Sequence, residues 1–152
     1  MAEITNKPGT IVVNVEWNPR EGFSASNESA AVIKIGGSPG IAETEPQFRP
    51  MQLLLAALGG CTGIDAVSIM EKQRINIEAI KIRITGERAQ EHPKVFTNIN
   101  LHFDITAKGG SPEQVRRALQ LSRDKYCSVG NTISKVANLV YSFSLNGQEF
   151  SL

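Results

Sequence analysis

The stretch RPMQLLLAALGGCTGIDAVS, residues 49–68, decides how the rest of the chain is read. Pro50 sits where a first helical turn accepts it, because its missing N–H would have no intrahelical partner there. From residue 51 to about residue 74 there are no prolines and many strong helix formers. That predicts one long helix of roughly 36 Å at 1.5 Å per residue. Its N-terminal half, from Leu53 to Leu58, is apolar on nearly all sides, the pattern of a buried central helix. Gly59, Gly60 and Gly63 lie inside it, each costing up to about 1 kcal/mol against alanine. Two accounts offset that cost: close approach of another backbone around Cys61, or open space for a ligand.

On the N-terminal side, residues 10–17 (TIVVNVEW) are β-branched and place Val13, Val15 and Trp17 on one face of a strand. Residues 18–22 have turn chemistry, and residues 23–35 hold two shorter strands broken near 26–29. A Gly- and Pro-rich loop over 36–50 follows.

On the C-terminal side, residues 77–87 and 95–107 alternate as two long strands around a turn containing His92-Pro93. Ser111-Pro112-Glu113-Gln114 starts a helix, with Ser111 as N-cap, Pro112 at the first helical position and Gln114 closing a capping box. This helix is expected to end near Lys125, and Ser128 to cap a short helix through about Ala137. Strand 139–145, an Asn146-Gly147 hairpin turn and a strand over 149–152 complete the chain. The order βββ-α-ββ-α-α-ββ with short turns predicts antiparallel sheets in an α+β fold, a single domain over residues 1–152.

The bulk numbers exclude several classes. The 152 residues suffice for a hydrophobic core without staples. Sixteen Lys plus Arg against fifteen Asp plus Glu give a net charge of +1, with no basic run to hold a phosphate backbone, so nucleic acid is not an expected partner. The N-terminus lacks an apolar leader. Gln52, Thr62, Asp65 and Ser68 interrupt the apolar run of the long helix, so neither a membrane span nor a membrane partner is expected. These features predict a cytoplasmic protein. In that reducing compartment two cysteines leave packing, metal binding or redox chemistry as their uses.

Cys61 taken alone reads as a small buried hydrophobe, but its Gly-Gly-Cys-Thr-Gly flank leaves the sulfur accessible to a substrate. Cys127 directly precedes Ser128, where the helix dipole and nearby Lys125 would favour thiolate. Asp65, one turn beyond Cys61, would oppose thiolate formation and is expected to bond across an interface or to cap backbone. His92 and His102 lie far from any Cys-x-x-Cys pair, so no metal site is expected. No phosphate loop, serine-hydrolase elbow or cofactor motif is present.

Residues 49–68 resemble the central-helix signature of the OsmC/Ohr family, the osmotically inducible and organic-hydroperoxide-resistance proteins. Lys125-Tyr126-Cys127-Ser128-Val129 with Asn131-Thr132-Ile133 resembles the family's second cysteine motif, and the element order is similar throughout. The resemblance implies an intertwined homodimer with sites at the subunit interface. It also implies a thiol peroxidase, with Cys61 attacking an organic hydroperoxide, Cys127 resolving the sulfenic acid, and an external dithiol as reductant. The hydroperoxide-resistance branch carries a glutamate ten residues before the first cysteine, paired with an arginine from the N-terminal strands. Here that position is Met51, beside Gln52, in the manner of an OsmC-like branch with a Pro-Met-x-Leu-Leu-Leu pattern. Arg20 is the positional match for the arginine, and Arg49, at the mouth of the helix, is a second candidate for the substrate side. The alternative reading is a non-enzymatic dimeric module binding a small hydrophobic or acyl ligand, or an oxidant sensor.

Overall fold

A computed structural model describes residues 9–42 and 45–152. The N-terminal segment, residues 1–8, and residues 43–44 of the Gly/Pro loop therefore lie outside the described residues. Cα packing divides the chain into two compact units, Met1–Leu53 and Leu54–Leu152, each taken by itself.

The first unit is an antiparallel sheet in the order β1 (Val13–Asn18), β2 (Gly22–Asn27), β3 (Val32–Ile35). Its turns follow the polar residues that predicted them. Asn18 Oδ1 accepts the Arg20 N–H at 2.8 Å, and Asn27 Oδ1 accepts those of Ser29 and Ala31 at 3.0 Å. Val13, Val15 and Trp17 keep their alternation, yet they are 56%, 57% and 58% exposed. This face has apolar chemistry and no cover among the described residues of the unit. The unit ends in the first turn of α1 (Pro50–Lys72). There the Arg49 carbonyl accepts the Gln52 and Leu53 N–H groups, and Gln52 Oε1 accepts the Arg49 N–H at 2.8 Å. A half capping box thus anchors the helix just before Pro50.

The second unit continues with the rest of α1, then β4 (Asn76–Arg88), β5 (Phe96–Lys108), α2 (Pro112–Leu121), α3 (Ser128–Ile133), β6 (Asn138–Leu145) and β7 (Gln148–Ser151). The α2 capping box forms as its sequence predicts: Gln114 N–H donates to Ser111 Oγ and Ser111 N–H to Gln114 Oε1. The helix stops at Leu121, however, and gives way to a π-helical turn, Ser122–Tyr126.

The sheet order is β4-β5-β6-β7. One pairing departs from the antiparallel expectation: β5 and β6 run parallel, Leu101 beside Tyr141 and Phe103 beside Phe143. The reason is the connection, since α2 and α3 form a crossover of the length that parallel neighbours need. The β6–β7 hairpin turns on Asn146 (φ 51°) and Gly147 (φ 83°), both left-handed as the Asn-Gly pair demands.

The core lies on one face of this sheet. Ile99, Leu101, Phe103 and Ile105 of β5 are buried with Phe143 of β6, Val115, Ala118 and Leu119 of α2, and Leu58, Ala66 and Met70 of α1. Each large apolar side chain so buried contributes about 1.5–3 kcal/mol. The expectation of a helix buried all round holds for one stripe of α1 only. Leu58, Thr62, Ala66 and Met70, spaced by four, are fully enclosed, while Ile64 on the other side is 73% exposed. The glycines divide between the two accounts offered above. A Cβ on Gly59 would stand 2.5 Å from Ile84 Cδ1 and one on Gly63 2.8 Å from Ile82 Cδ1, but nothing lies within 4 Å of one on Gly60. Close approach, to side chains of β4 rather than to backbone, explains the first two; open space explains the third.

Candidate active site

Helical spacing puts Cys61 and Asp65 one above the other on α1, flanked by the buried stripe that carries Thr62. Opposite them the π-helical turn does the positioning. Cys127 N–H reaches back five residues to the Ser122 carbonyl at 2.8 Å. The wider turn presents both Ser122 and Cys127 towards α1. Ser122 Oγ donates to Asp65 Oδ2 at 3.1 Å and lies 3.4 Å from the Thr62 carbonyl. Asp65 thus bonds a side-chain hydroxyl of its own chain.

Cys127, not Ser128, is the N-cap of α3. Its backbone is extended (φ −70°, ψ 97°) and its Sγ accepts the Gly130 N–H at 3.2 Å. A sulfur is a weak acceptor, which is why the sequence pointed to the adjacent hydroxyl instead. Thr62 Oγ1 donates to the Leu58 carbonyl at 2.9 Å and lies 3.4 Å from Cys127 Sγ. Both cysteines are free thiols, Cys127 buried and Cys61 partly so. Their sulfurs and an Asp65 carboxylate oxygen lie within 4.8 Å of one another.

The dipole argument for a Cys127 thiolate fails on energetics. Burial pushes this thiol above its ordinary value, the neighbouring Cys61 adds to the rise, and the Thr62 hydroxyl and Gly130 N–H only partly oppose it. Lys125 brings no help, being exposed with its ammonium 5.3 Å from the Tyr126 ring.

Sequence reasoning passed over Thr62, Ser122 and Tyr141 as parts of this site. Tyr141 carried a signal, because an inward-facing phenol on a core strand needs a partner for its hydroxyl. Here that hydroxyl is buried and makes no hydrogen bond of normal length. Burial raises its pKa to about 12, with the Cys127 charge acting in the same direction and Thr62 and Arg123 against it. Arg123 lies 6.0 Å from the Tyr141 ring and is held by Asp124, Nε donating to Oδ1 at 2.6 Å. That hydrogen bond raises the guanidinium's pKa and holds the exposed carboxyl below its ordinary range.

Alongside α1 runs an apolar groove of about 730 Å³, lined by Gly60, Ile64 and Val67 of the helix and by Ile80, Ile82 and Ile84 of β4. It passes the Gly59-Gly60 flank of Cys61.

Residues 43–141 match the family described as OsmC-like protein. The chain is 37% identical over 131 residues to protein YhfA of Escherichia coli K12, covering 86% of this chain and 95% of that one. The chain belongs to the OsmC/Ohr family.

Two solved structures extend the comparison. A hypothetical protein of Aquifex aeolicus is 28% identical with a TM-score of 0.78, covering 90% of this chain and 96% of its own. A Legionella pneumophila protein, titled an organic hydroperoxide resistance protein OsmC and predicted redox protein, has the same fold at 16% identity. Its TM-score is 0.66, with 91% and 98% of the two chains covered.

Against that OsmC/Ohr membership, the remaining expected site residues fall in the first unit. Arg20 lies in the β1–β2 turn, exposed. Arg49 precedes α1, exposed, with its guanidinium against Gly37, where a Cβ would meet Nη1 at 2.5 Å. Met51 occupies the second position of α1 and is partly buried.

Proposed function

We propose that this protein is a thiol-dependent peroxidase for organic hydroperoxides. The observation that carries the reading is the approach of the Cys61 and Cys127 sulfurs to within 4.8 Å of each other, with an apolar groove running past the Gly59-Gly60 flank of Cys61. The Cys61 thiolate attacks the distal peroxide oxygen; the O–O bond breaks, the alkoxide takes a proton and leaves as alcohol, and Cys61 becomes a sulfenic acid. Cys127 then forms the S–S bond, its own proton leaving with the sulfenic hydroxyl as water. An external dithiol supplies the two electrons that restore both thiols. Burial suits the resolving role, because Cys127 stays protonated, and so unreactive towards peroxide, until Cys61 has been oxidised.

Within this proposal Arg20 or Arg49 supplies the cation that a thiolate in apolar surroundings needs, in place of the latch that Met51 leaves without a carboxylate. The protein acts in the cytoplasm as a homodimer. Support for the dimer is the apolar face of β1, exposed among the described residues of its own unit, and the open groove between α1 and β4 in the other.

Intact mass and free-thiol content after one equivalent of organic hydroperoxide test the reading, with hydrogen peroxide in parallel. Rapid loss of both thiols to a disulfide is expected, faster with the organic peroxide. Cys61→Ser abolishes consumption, and Cys127→Ser stops at a sulfenic acid. Thiols that survive minutes of exposure would overturn it. The isoleucine-lined groove favours a second reading, a binding module for a small hydrophobic or acyl ligand that senses oxidants at most. That reading predicts saturable uptake of such a ligand by protein whose thiols stay reduced.

A further inference from the structure

We propose that the reduced site binds one divalent zinc ion through Cys61 Sγ, Cys127 Sγ and the Asp65 carboxylate. The inference goes beyond the peroxidase reading and stands whether or not the pair reduces peroxides.

The donor set is the first argument. Two sulfurs and a carboxylate oxygen are donors zinc accepts in tetrahedral sites, at about 2.3 Å for sulfur and 2.0–2.2 Å for oxygen. Such bond lengths place two coordinated sulfurs about 3.8 Å apart. The three ligand atoms here already lie within 4.8 Å of one another, so closing on an ion takes a contraction of about 1 Å at most. Cys61 and Asp65 stand at positions i and i+4 of α1, a rigid spacing that aims two donors at one point, and Cys127 supplies the third from a separate element.

The surroundings give the second argument. Each of two ligands already has an orienting partner, as metal ligands do: Ser122 Oγ donates to Asp65 Oδ2 and Gly130 N–H to Cys127 Sγ. Tyr141 is 5% exposed, and its hydroxyl, with that of Thr62 nearby, makes no hydrogen bond of normal length. That hydroxyl faces the same Gly130 surface as the sulfur, since a Cβ on Gly130 would lie 3.2 Å from Cys127 Sγ and 3.5 Å from Tyr141 Oη. It is a buried polar group aimed at the cluster, able to bond a metal-bound thiolate. Cys61 and Asp65 are only partly buried, which gives an ion access and leaves a fourth position for water.

Binding replaces the two thiol protons, which pass to solvent. With both thiolates and the carboxylate on a dipositive ion, the site carries a net charge of −1. A disulfide removes two of the three ligands, so oxidation and zinc exclude each other.

The test uses reduced, metal-free full-length protein titrated with cobalt(II) without oxygen, followed by zinc. One cobalt per chain is expected, with the thiolate-to-metal charge-transfer band and tetrahedral visible bands, displaced by one equivalent of zinc. Zinc should slow alkylation of both thiols. Asp65→Asn should weaken binding at least tenfold and Ser122→Ala by about tenfold, while Glu91→Gln, on an exposed turn, leaves it unchanged. Circular dichroism establishes that each variant is folded. Absence of the charge-transfer band, binding as tight in Asp65→Asn as in the parent, or binding that survives Cys61→Ser would each overturn the site. Peroxide consumption by metal-free protein is read separately, so its failure would sink only the peroxidase proposal.

Discussion

The Thr62 hydroxyl donates to the Leu58 carbonyl at 2.9 Å while its oxygen lies 3.4 Å from Cys127 Sγ. A hydroxyl has one proton, so in this arrangement Thr62 is the acceptor and Cys127 S–H the donor. If Cys127 ionises, the hydroxyl can serve the thiolate only by leaving Leu58.

Thr62→Val tests that exchange. The near-isosteric change removes the oxygen and costs about 1 kcal/mol of stability. It also deprives the Cys127 thiolate of a donor, so the pH midpoint of Cys127 alkylation, followed in a Cys61→Ser background, should move upward. An unmoved midpoint would mean that Thr62 stays on Leu58 in both states.

Stability of the reduced protein should fall in alkali. Cys127 titrates above its ordinary 9.0 in the folded chain, and Tyr141 at about 12 against an ordinary 10.0. A group raised on folding holds more protons folded than unfolded between its two pKa values, so its contribution is full below the unfolded value and lost as pH rises through the folded one. Urea midpoints in the presence of reductant should therefore decline above about pH 9. Tyr141→Phe should flatten the part of the decline above about pH 10. At neutral pH the same change should be neutral or stabilising, because the buried hydroxyl it removes makes no hydrogen bond of normal length.

Contact between Gly59 and Ile84 sets how closely α1 approaches β4. Gly59→Ala should lose about 1–3 kcal/mol to overpacking, less the helix preference of alanine. Ile84→Val removes the Cδ1 that the new methyl meets. A double-mutant cycle in urea should give a favourable coupling above about 0.5 kcal/mol; strict additivity would place the strain elsewhere.

For the proposed homodimer, light scattering should return twice the 16.5 kDa chain mass. Ile64, 73% exposed on the groove side of α1, is the residue to charge. Ile64→Glu should shift the mass towards one chain while circular dichroism stays unchanged. A monomer mass for the parent protein would remove the dimer from the proposal.

Local chemistry made most of the elements legible. The Ser111–Gln114 box, Pro50 at the helix start, the Asn146-Gly147 turn and the alternation from Ile99 to Ile105 each act over a few residues, and each appears as read. Long-range relations were not legible. Nothing near Asp65 names Ser122 as its partner, and nothing near Cys127 announces Thr62 or Tyr141. The parallel β5–β6 pair depends on where a crossover lands, which turn residues do not encode. The exchange of cap from Ser128 to Cys127 depends on where α2 widens, and a π-turn leaves the hydrophobic pattern almost unmarked.

That widened turn makes helical pitch the quantity that aims Cys127. The same five residues, Ser122–Tyr126, wound as an ordinary helix with each N–H bonded four residues back instead of five would turn everything beyond them by about 100°. Cys127 would swing off the Thr62 face with its thiol chemically intact. In a lineage, substitutions that tightened this turn without shortening it would separate the thiols while both cysteines remained in the gene.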